Sequence, residues 1–191
     1  MSIESHINQF ISEYSIKNHQ QAKIKIENLI KKYPNEKKLL QTAGILFAQN
    51  KKFEDAIKIF KKILEKDLQS VETLINIGLA YYESNKFDQA LKYLEKAENL
   101  DTRQGEVCYS LGLVYEKKKI LIKALEYYQK AIKIDSSNIG AFLNLGNIHL
   151  QNKDFEKAIN AYENAIMTDP NNPNIYHNLG VTWSKLKNIE K

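Results

Sequence analysis

The stretch that decides the fold is residues 139–172, which read IGAFLNLGNIHLQNKDFEKAINAYENAIMTDPNN. It holds two apolar patterns with the spacing of amphipathic helices, separated by a short polar turn. Gly146 lies inside the first pattern, where glycine costs about 1 kcal/mol relative to alanine. A glycine in that place indicates that another helix packs closely against it.

The same pattern recurs along the chain with a period of thirty-four residues. The glycine series is Gly44, Gly78, Gly112, Gly146 and Gly180, and two further series with the same period are Ala56, Ala90, Ala124 and Ala158, and Asp67, Asp101, Asp135 and Asp169. The spacing predicts an all-α chain of antiparallel helix pairs. In one repeat the two helices are expected over Lys37 to Gln49 and Phe53 to Lys66.

These repeats resemble the tetratricopeptide repeat (TPR) family, and the repeat with Leu145, Gly146, Ala158, Tyr162 and Pro170 carries the resemblance most fully. The resemblance implies a right-handed α-solenoid, a TPR superhelix in which the first helix of each pair lines the concave side. One continuous domain is expected. Its parts are a degenerate N-terminal capping helix pair at 1–36, four complete repeats at 37–172 and the first helix of a further repeat at 173–191.

Asparagines mark the expected concave face. Asn76, Asn144 and Asn178 each stand two residues before a repeat glycine, and Ser110 fills this position in the intervening repeat. The Asn-Leu-Gly triplets that begin at Asn144 and Asn178 resemble the superhelical repeats of O-linked N-acetylglucosamine transferases, whose concave asparagines hold substrate backbones. An amide both donates and accepts hydrogen bonds, so a ladder of them suits the main chain of an extended peptide. The alternative is that these residues only solvate the groove.

The helical period places further candidates on the same face. They are Asn147, Tyr109, Ile75, Leu79, Leu113, Leu143 and His177, with Ile45 and Glu83 beside them. The apolar members suit a partly hydrophobic peptide. Alternatively, the aliphatic side chains pack against neighbouring first helices, and His177 is simply hydrated.

The rest of the composition argues against other classes of function. The net charge is +5, but Arg103 is the only arginine among 28 basic residues, which is unusual for a protein that binds nucleic acid. The four histidines are dispersed along the chain, so no metal site is expected, and no motif for catalysis or for a cofactor is found. The lone Cys108 replaces an apolar residue of the repeat, which indicates a buried thiol.

The distribution of apolar residues also indicates where in the cell the protein is found. No apolar run approaches the roughly 18 residues that a membrane-spanning helix needs. The first twenty positions alternate polar and apolar side chains, unlike a signal peptide. We therefore expect no membrane insertion and predict a cytoplasmic protein.

The leading interpretation is a non-catalytic scaffold that binds an extended peptide or a helix of a partner protein in its concave groove. Two alternatives remain open at this point. The chain could be the substrate-recognition or regulatory TPR segment of a larger enzyme, for example a glycosyltransferase. It could also be a self-assembling scaffold that forms homo-oligomers through its C-terminal end, where Leu179, Trp183 and Leu186 are expected to leave an exposed apolar edge.

Overall fold

The computed structural model describes the backbone of residues 19–189 and the side chains of residues 24–187. This range is built from α-helices without any strand, so the all-α prediction is confirmed. The helices are α1 (His19–Lys32), α2 (Lys37–Gln49), α3 (Phe53–Leu64), α4 (Val71–Glu83), α5 (Phe87–Leu100), α6 (Gly105–Lys117), α7 (Leu121–Ile134), α8 (Ile139–Gln151), α9 (Phe155–Thr168) and α10 (Pro173–Ile189).

Each repeat contributes two of these helices. The first helices are α2, α4, α6, α8 and α10, and each begins one full repeat period after the one before. The second helices α3, α5, α7 and α9 follow them. The predicted bounds of α2 are confirmed at both ends, whereas α3 ends at Leu64 instead of Lys66, because Glu65 and Lys66 already belong to the turn that leads into Asp67.

The chain divides into two compact modules, and the division falls inside α5, between Tyr93 and Leu94. In the N-terminal module α3 packs against α2 and α4, and in the C-terminal module α6 to α10 pack in succession. Residues 1–18 of the predicted capping pair lie outside the described residues. The predicted arrangement as a cap, four repeats and a last helix in one continuous domain stays a prediction.

Three of the five repeat glycines make room for an aromatic ring of the second helix. A Cβ placed on Gly44 would lie 2.4 Å from Phe60, one on Gly112 would lie 2.5 Å from Tyr128, and one on Gly146 would lie 2.6 Å from Tyr162. All three rings are almost fully buried. The close helix approach expected from the sequence is therefore a contact between a ring and the bare backbone of the first helix.

In two repeats a stacked pair of tyrosines also links the paired helices. Tyr81 stacks on Tyr93 with ring centroids 5.6 Å apart, and Tyr115 stacks on Tyr127 at 5.4 Å. Tyr81 and Tyr115 each stand three residues after a repeat glycine. Each pair therefore joins the first helix of its repeat to the second, one turn along from the glycine.

The turn between the two helices of a repeat is closed by main-chain bonds. In each turn one residue adopts left-handed φ of about 60°, namely Lys51, Asn85, Lys119 and Lys153. The next residue donates its N–H to a carbonyl five residues back, as Lys52 does to Phe47 at 2.8 Å and Asp154 does to His149 at 2.9 Å. This is the Schellman arrangement, which ends a helix without any side-chain cap.

The glycine contact can be tested with a matched pair of variants. In Gly146→Ala the new methyl group meets the buried ring of Tyr162, and we expect a loss of about 1 to 3 kcal/mol in the free energy of unfolding. Gly180 has no atom within 4 Å of an ideal Cβ, so Gly180→Ala should gain up to about 1 kcal/mol from helix propensity. Urea unfolding followed by circular dichroism measures both. Equal losses in the two variants would contradict the packing role.

Candidate peptide-binding site

The candidate residues on the first helices differ in how much surface they offer. Asn76, Asn144, Asn147, Asn178, Leu79, Leu113, Leu143 and Tyr109 are half-buried, and His177 is exposed. Ile75 and Ser110, in contrast, are only 3% and 1% exposed. These two side chains lie in the core and have almost no surface with which to touch a ligand.

The N-terminal module holds an apolar pocket between α2 and α4. Its volume is about 410 Å³, and its walls include Ile45, Phe60, Asn76, Leu79 and Glu83. Phe60, which is almost fully buried, lines this pocket together with Asn76 and Leu79. The pocket therefore combines a mostly apolar lining with a few polar side chains, namely Gln49, Lys51, Asn76 and Glu83, as is usual for sites that bind small molecules or side chains.

Asn76 makes no side-chain hydrogen bond to any other residue in the described part of the chain. Asn76 lines the same pocket as Phe60, whose ring has no hydroxyl group. Both the donor and the acceptor of this half-buried amide are thus available to an incoming ligand.

The corresponding asparagines of the C-terminal module are already engaged. Asn144 donates to the hydroxyl of Tyr128 at 3.3 Å, and that hydroxyl donates to Glu116 at 2.6 Å. Asn178 donates to Oδ1 of Asn147 at 3.2 Å, and the same oxygen accepts the hydroxyl of Tyr162 at 2.7 Å. The amide nitrogen of Asn147 makes no bond within the described residues.

The difference between the modules comes from one register position. Phe60, Tyr128 and Tyr162 occupy the same position of their repeats, and only the tyrosines carry a hydroxyl that reaches the first-helix face. Sequence reasoning assigned these rings to packing alone and so missed Phe60 as a lining residue of the pocket. The available signal was the change from tyrosine to phenylalanine at a repeated position.

Tyr109 lies against the next first helix. Its ring is tilted against Tyr128 at 6.0 Å, and its hydroxyl would lie 2.7 Å from a Cβ on Gly140. Burial raises the pKa of its hydroxyl, partly offset by a hydrogen bond from Asn144. Tyr109 thus joins α6 to α8, with only part of its ring left for a ligand.

The remaining polar candidates form no catalytic cluster in the described residues. Burial raises the pKa of the Cys108 thiol, which makes its thiolate scarcer at neutral pH. His149 is buried, with Nδ1 3.4 Å from Asp154 Oδ2. Within the part of the chain that the structure describes, no three His, Cys, Asp or Glu side chains are arranged to hold a metal ion. No helix in that part is both long enough and apolar enough to cross a membrane.

Comparison with models of protein families identifies the family to which these repeats belong. Models described as tetratricopeptide repeat match residues 47–111, 105–138 and 127–160, and a model described as TPR repeat matches residues 146–186. Together these segments run without a gap from residue 47 to residue 186. The chain belongs to the tetratricopeptide repeat family.

Solved structures give the same fold. A crystal structure of MamA is 28% identical, covers 77% of this chain and 80% of its own, and has a TM-score of 0.66. A thermophilic TPR protein from Thermus thermophilus is 16% identical, with coverage of 95% and 99% and a TM-score of 0.75. YrrB, described as a TPR protein with an unusual peptide-binding site, is 21% identical, with coverage of 85% and 84% and a TM-score of 0.63. A search of curated protein sequences gave no match.

The family and its solved neighbours confirm the predicted fold class, an α-solenoid of TPR helix pairs. They also support a protein-interaction scaffold in general terms, with a protein or peptide as the partner. Tetratricopeptide repeats are typically non-catalytic.

The buried tyrosines make stability sensitive to alkaline pH. Burial raises the pKa of Tyr162 to about 12, and burial together with Glu116 raises the pKa of Tyr128 further. An unfolded tyrosine ionises near pH 10, so above that pH the unfolded chain releases protons that the folded chain keeps. The stabilising contribution of these tyrosines is therefore fully present below about pH 10 and is lost as the pH rises toward about 12.

We expect the urea midpoint of the wild type to drop between pH 9 and about pH 11, and Tyr162→Phe to flatten part of that decline. Tyr176→Phe is the control, because Tyr176 is about half exposed. The measurement is urea unfolding across this pH series. An unchanged slope in Tyr162→Phe would show that this hydroxyl does not contribute.

Proposed function

We propose that this chain is a non-catalytic scaffold that binds an extended peptide or a helix of a partner protein on the faces of its first helices. The observation that carries the proposal is the pocket between α2 and α4, where the half-buried Asn76 amide has no partner within the described residues.

The size of the pocket suits a single large apolar side chain with a short piece of main chain. Its volume of about 410 Å³ falls in the usual range for ligand sites. Burying a leucine- or phenylalanine-sized side chain there contributes about 1.5 to 3 kcal/mol. One hydrogen bond from Asn76 adds about 1 kcal/mol. These terms are modest, so a tight complex requires further contacts along the first helices.

The C-terminal module supports the same role more weakly. The bonds of Asn144 and Asn178 to their own neighbours hold these amides in place, and the Asn147 amide nitrogen is left to donate to a ligand. We therefore assign the main contact of the N-terminal module to Asn76 and Leu79, and a separate, weaker contact of the C-terminal module to Asn147. In this proposal the three predicted asparagines therefore play different roles. Asn76 is free to bind a ligand, whereas Asn144 and Asn178 belong to a polar surface whose side chains already bond one another.

The test uses a phage-displayed library of random 12-residue peptides selected against the whole chain. We expect enriched peptides to carry a leucine, methionine or phenylalanine, and we expect Asn76→Ala to weaken the best of them about fivefold through loss of one hydrogen bond. Ile45→Glu, which places a charge at the 39%-exposed wall of the pocket, should weaken binding more strongly. Isothermal titration gives the affinities.

The matched control is Ile122→Glu, because Ile122 is 75% exposed and lies on the second helix α7. Its affinity should equal that of the wild type, and circular dichroism checks that every variant is folded. Peptides that bind Asn76→Ala and Ile45→Glu as well as they bind the wild type would refute the proposed site.

A further inference from the structure

The turn between α6 and α7 differs in charge from the other turns within repeats. Residues 117–123 read KKKILIK, with four lysines and no acidic side chain. The equivalent segments each contain two acidic residues, and they are 49–55 (QNKKFED), 83–89 (ESNKFDQ) and 151–157 (QNKDFEK). Among these four turns only residues 117–123, called the basic tip below, carry a net positive charge.

The lysines of the basic tip are largely available to a ligand. Lys117 and Lys119 are exposed, and the side chain of neither forms an ion pair or a hydrogen bond within the described residues. Lys123 is exposed too, and its ammonium group lies 5.0 Å from the centre of the Tyr115 ring. The charges of Lys117 and Lys119 are therefore compensated by solvent alone in the part of the chain that the structure describes.

The basic tip also carries two exposed isoleucines, Ile120 at 40% and Ile122 at 75%. Ile120 is the N-cap of α7 and has no side-chain oxygen to accept a first-turn N–H. Ile122 lies in the first turn of α7, where the equivalent residues of α3, α5 and α9 are Glu54, Asp88 and Glu156. Acidic residues there stabilise a helix through its dipole, and isoleucine does not. Helix formation thus gives no reason for either isoleucine, and such departures from the local rules are typical of functional surfaces.

A ligand of the basic tip has to match exposed cations and exposed aliphatic side chains within one short turn. An acidic protein surface would pair with the lysines but leave the isoleucines in water. Single-stranded nucleic acid is usually bound through aromatic side chains and arginine, and the basic tip has neither.

The surface of an anionic bilayer offers both kinds of contact, with phosphate groups outside and hydrocarbon just beneath them. Lysine suits this boundary, because its alkyl stem can lie in apolar surroundings while the ammonium group stays at the level of the phosphates. The composition of the basic tip therefore favours a lipid surface over the other anionic ligands.

We propose that the basic tip is a docking site for the surface of an anionic phospholipid bilayer. Ile120 and Ile122 reach the boundary of the hydrocarbon, and Lys117 and Lys119 bind lipid phosphates. An attachment of this kind needs no helix that crosses the membrane. The basic tip is a different surface from the pocket at Asn76, and neither proposal depends on the other.

The experiment measures co-sedimentation of the whole chain with two kinds of vesicle, one of phosphatidylcholine alone and one of an equal mixture of phosphatidylcholine and phosphatidylglycerol. We expect saturable binding to the mixed vesicles and none to phosphatidylcholine alone. Binding should weaken as the salt concentration rises from about 0.1 to about 0.5 M, because salt screens exposed charges.

Two double variants separate the two kinds of contact. Lys117→Gln/Lys119→Gln should lower the affinity for mixed vesicles about twentyfold, since each lysine near an anionic surface contributes about fivefold. Ile120→Gln/Ile122→Gln keeps all four lysines and should lower the affinity at least about tenfold through loss of the apolar contact. Met167→Gln is the matched control, because Met167 is 83% exposed near the end of α9, and it should bind as the wild type does. Circular dichroism checks that every variant is folded.

Several results of the vesicle experiment would overturn the inference. They are equal binding to the two kinds of vesicle, no binding to either, and an equal loss of binding in Met167→Gln. Undiminished binding by either double variant would also overturn it, because the basic tip would then lack one of its two proposed contacts.

A single-stranded oligonucleotide and a polyglutamate peptide serve as probes for the other anionic ligands. Weaker binding of both than of the mixed vesicles, or none, agrees with the inference. Tighter binding of either probe, lost in Lys117→Gln/Lys119→Gln, would assign the basic tip to that class of ligand and overturn the inference.

Discussion

The structure depends on the contact between a large ring and a first helix that lacks a side chain at one point. Glycine at positions 44, 112 and 146 lets Phe60, Tyr128 and Tyr162 lie directly on the helix backbone. The local cost is about 1 kcal/mol of helix propensity for each glycine. Burial of a whole aromatic ring outweighs it, since such a side chain removes roughly 200 Å² of surface from water. In each of these three helix pairs an ideal Cβ on the glycine would lie only 2.4 to 2.6 Å from the ring, so a side chain at that point would clash with it.

The same contact determines the chemistry of the neighbouring surface. A tyrosine in this position reaches the first-helix face with its hydroxyl and binds Glu116 or Asn147, so the polar groups there satisfy one another. A phenylalanine adds only apolar surface to the pocket and leaves an amide without a partner in the described residues, as at Phe60 and Asn76. One oxygen atom at a repeated position thus decides whether a repeat presents an ordered polar surface or an open pocket.

The helices could be predicted from the sequence because glycine, alanine and aspartate each recur with the same period of thirty-four residues. The bounds of α2 follow from that spacing. The site was harder to predict. The periodicity places Asn76, Asn144 and Asn178 at equivalent positions, but their different bonding depends on side chains that lie sixteen residues before the asparagine or on another first helix. Likewise, the helical period cannot distinguish Ile75 and Ser110, which are buried, from Leu79 and Asn147 on the same face. Such differences arise from packing between helices, and the residue pattern of a single helix does not report that packing.

The turns within the repeats have a consequence for how freely this chain can change. Main-chain bonds close each of them, and the side chains at Lys51, Asn85, Lys119 and Lys153 make no hydrogen bond within the described residues. The side chain there can change among residues that tolerate left-handed φ, glycine and asparagine above all, while the architecture stays constant. The hairpin tips are accordingly the natural places to attach a fluorophore or graft a short foreign loop, with the helices on either side left undisturbed.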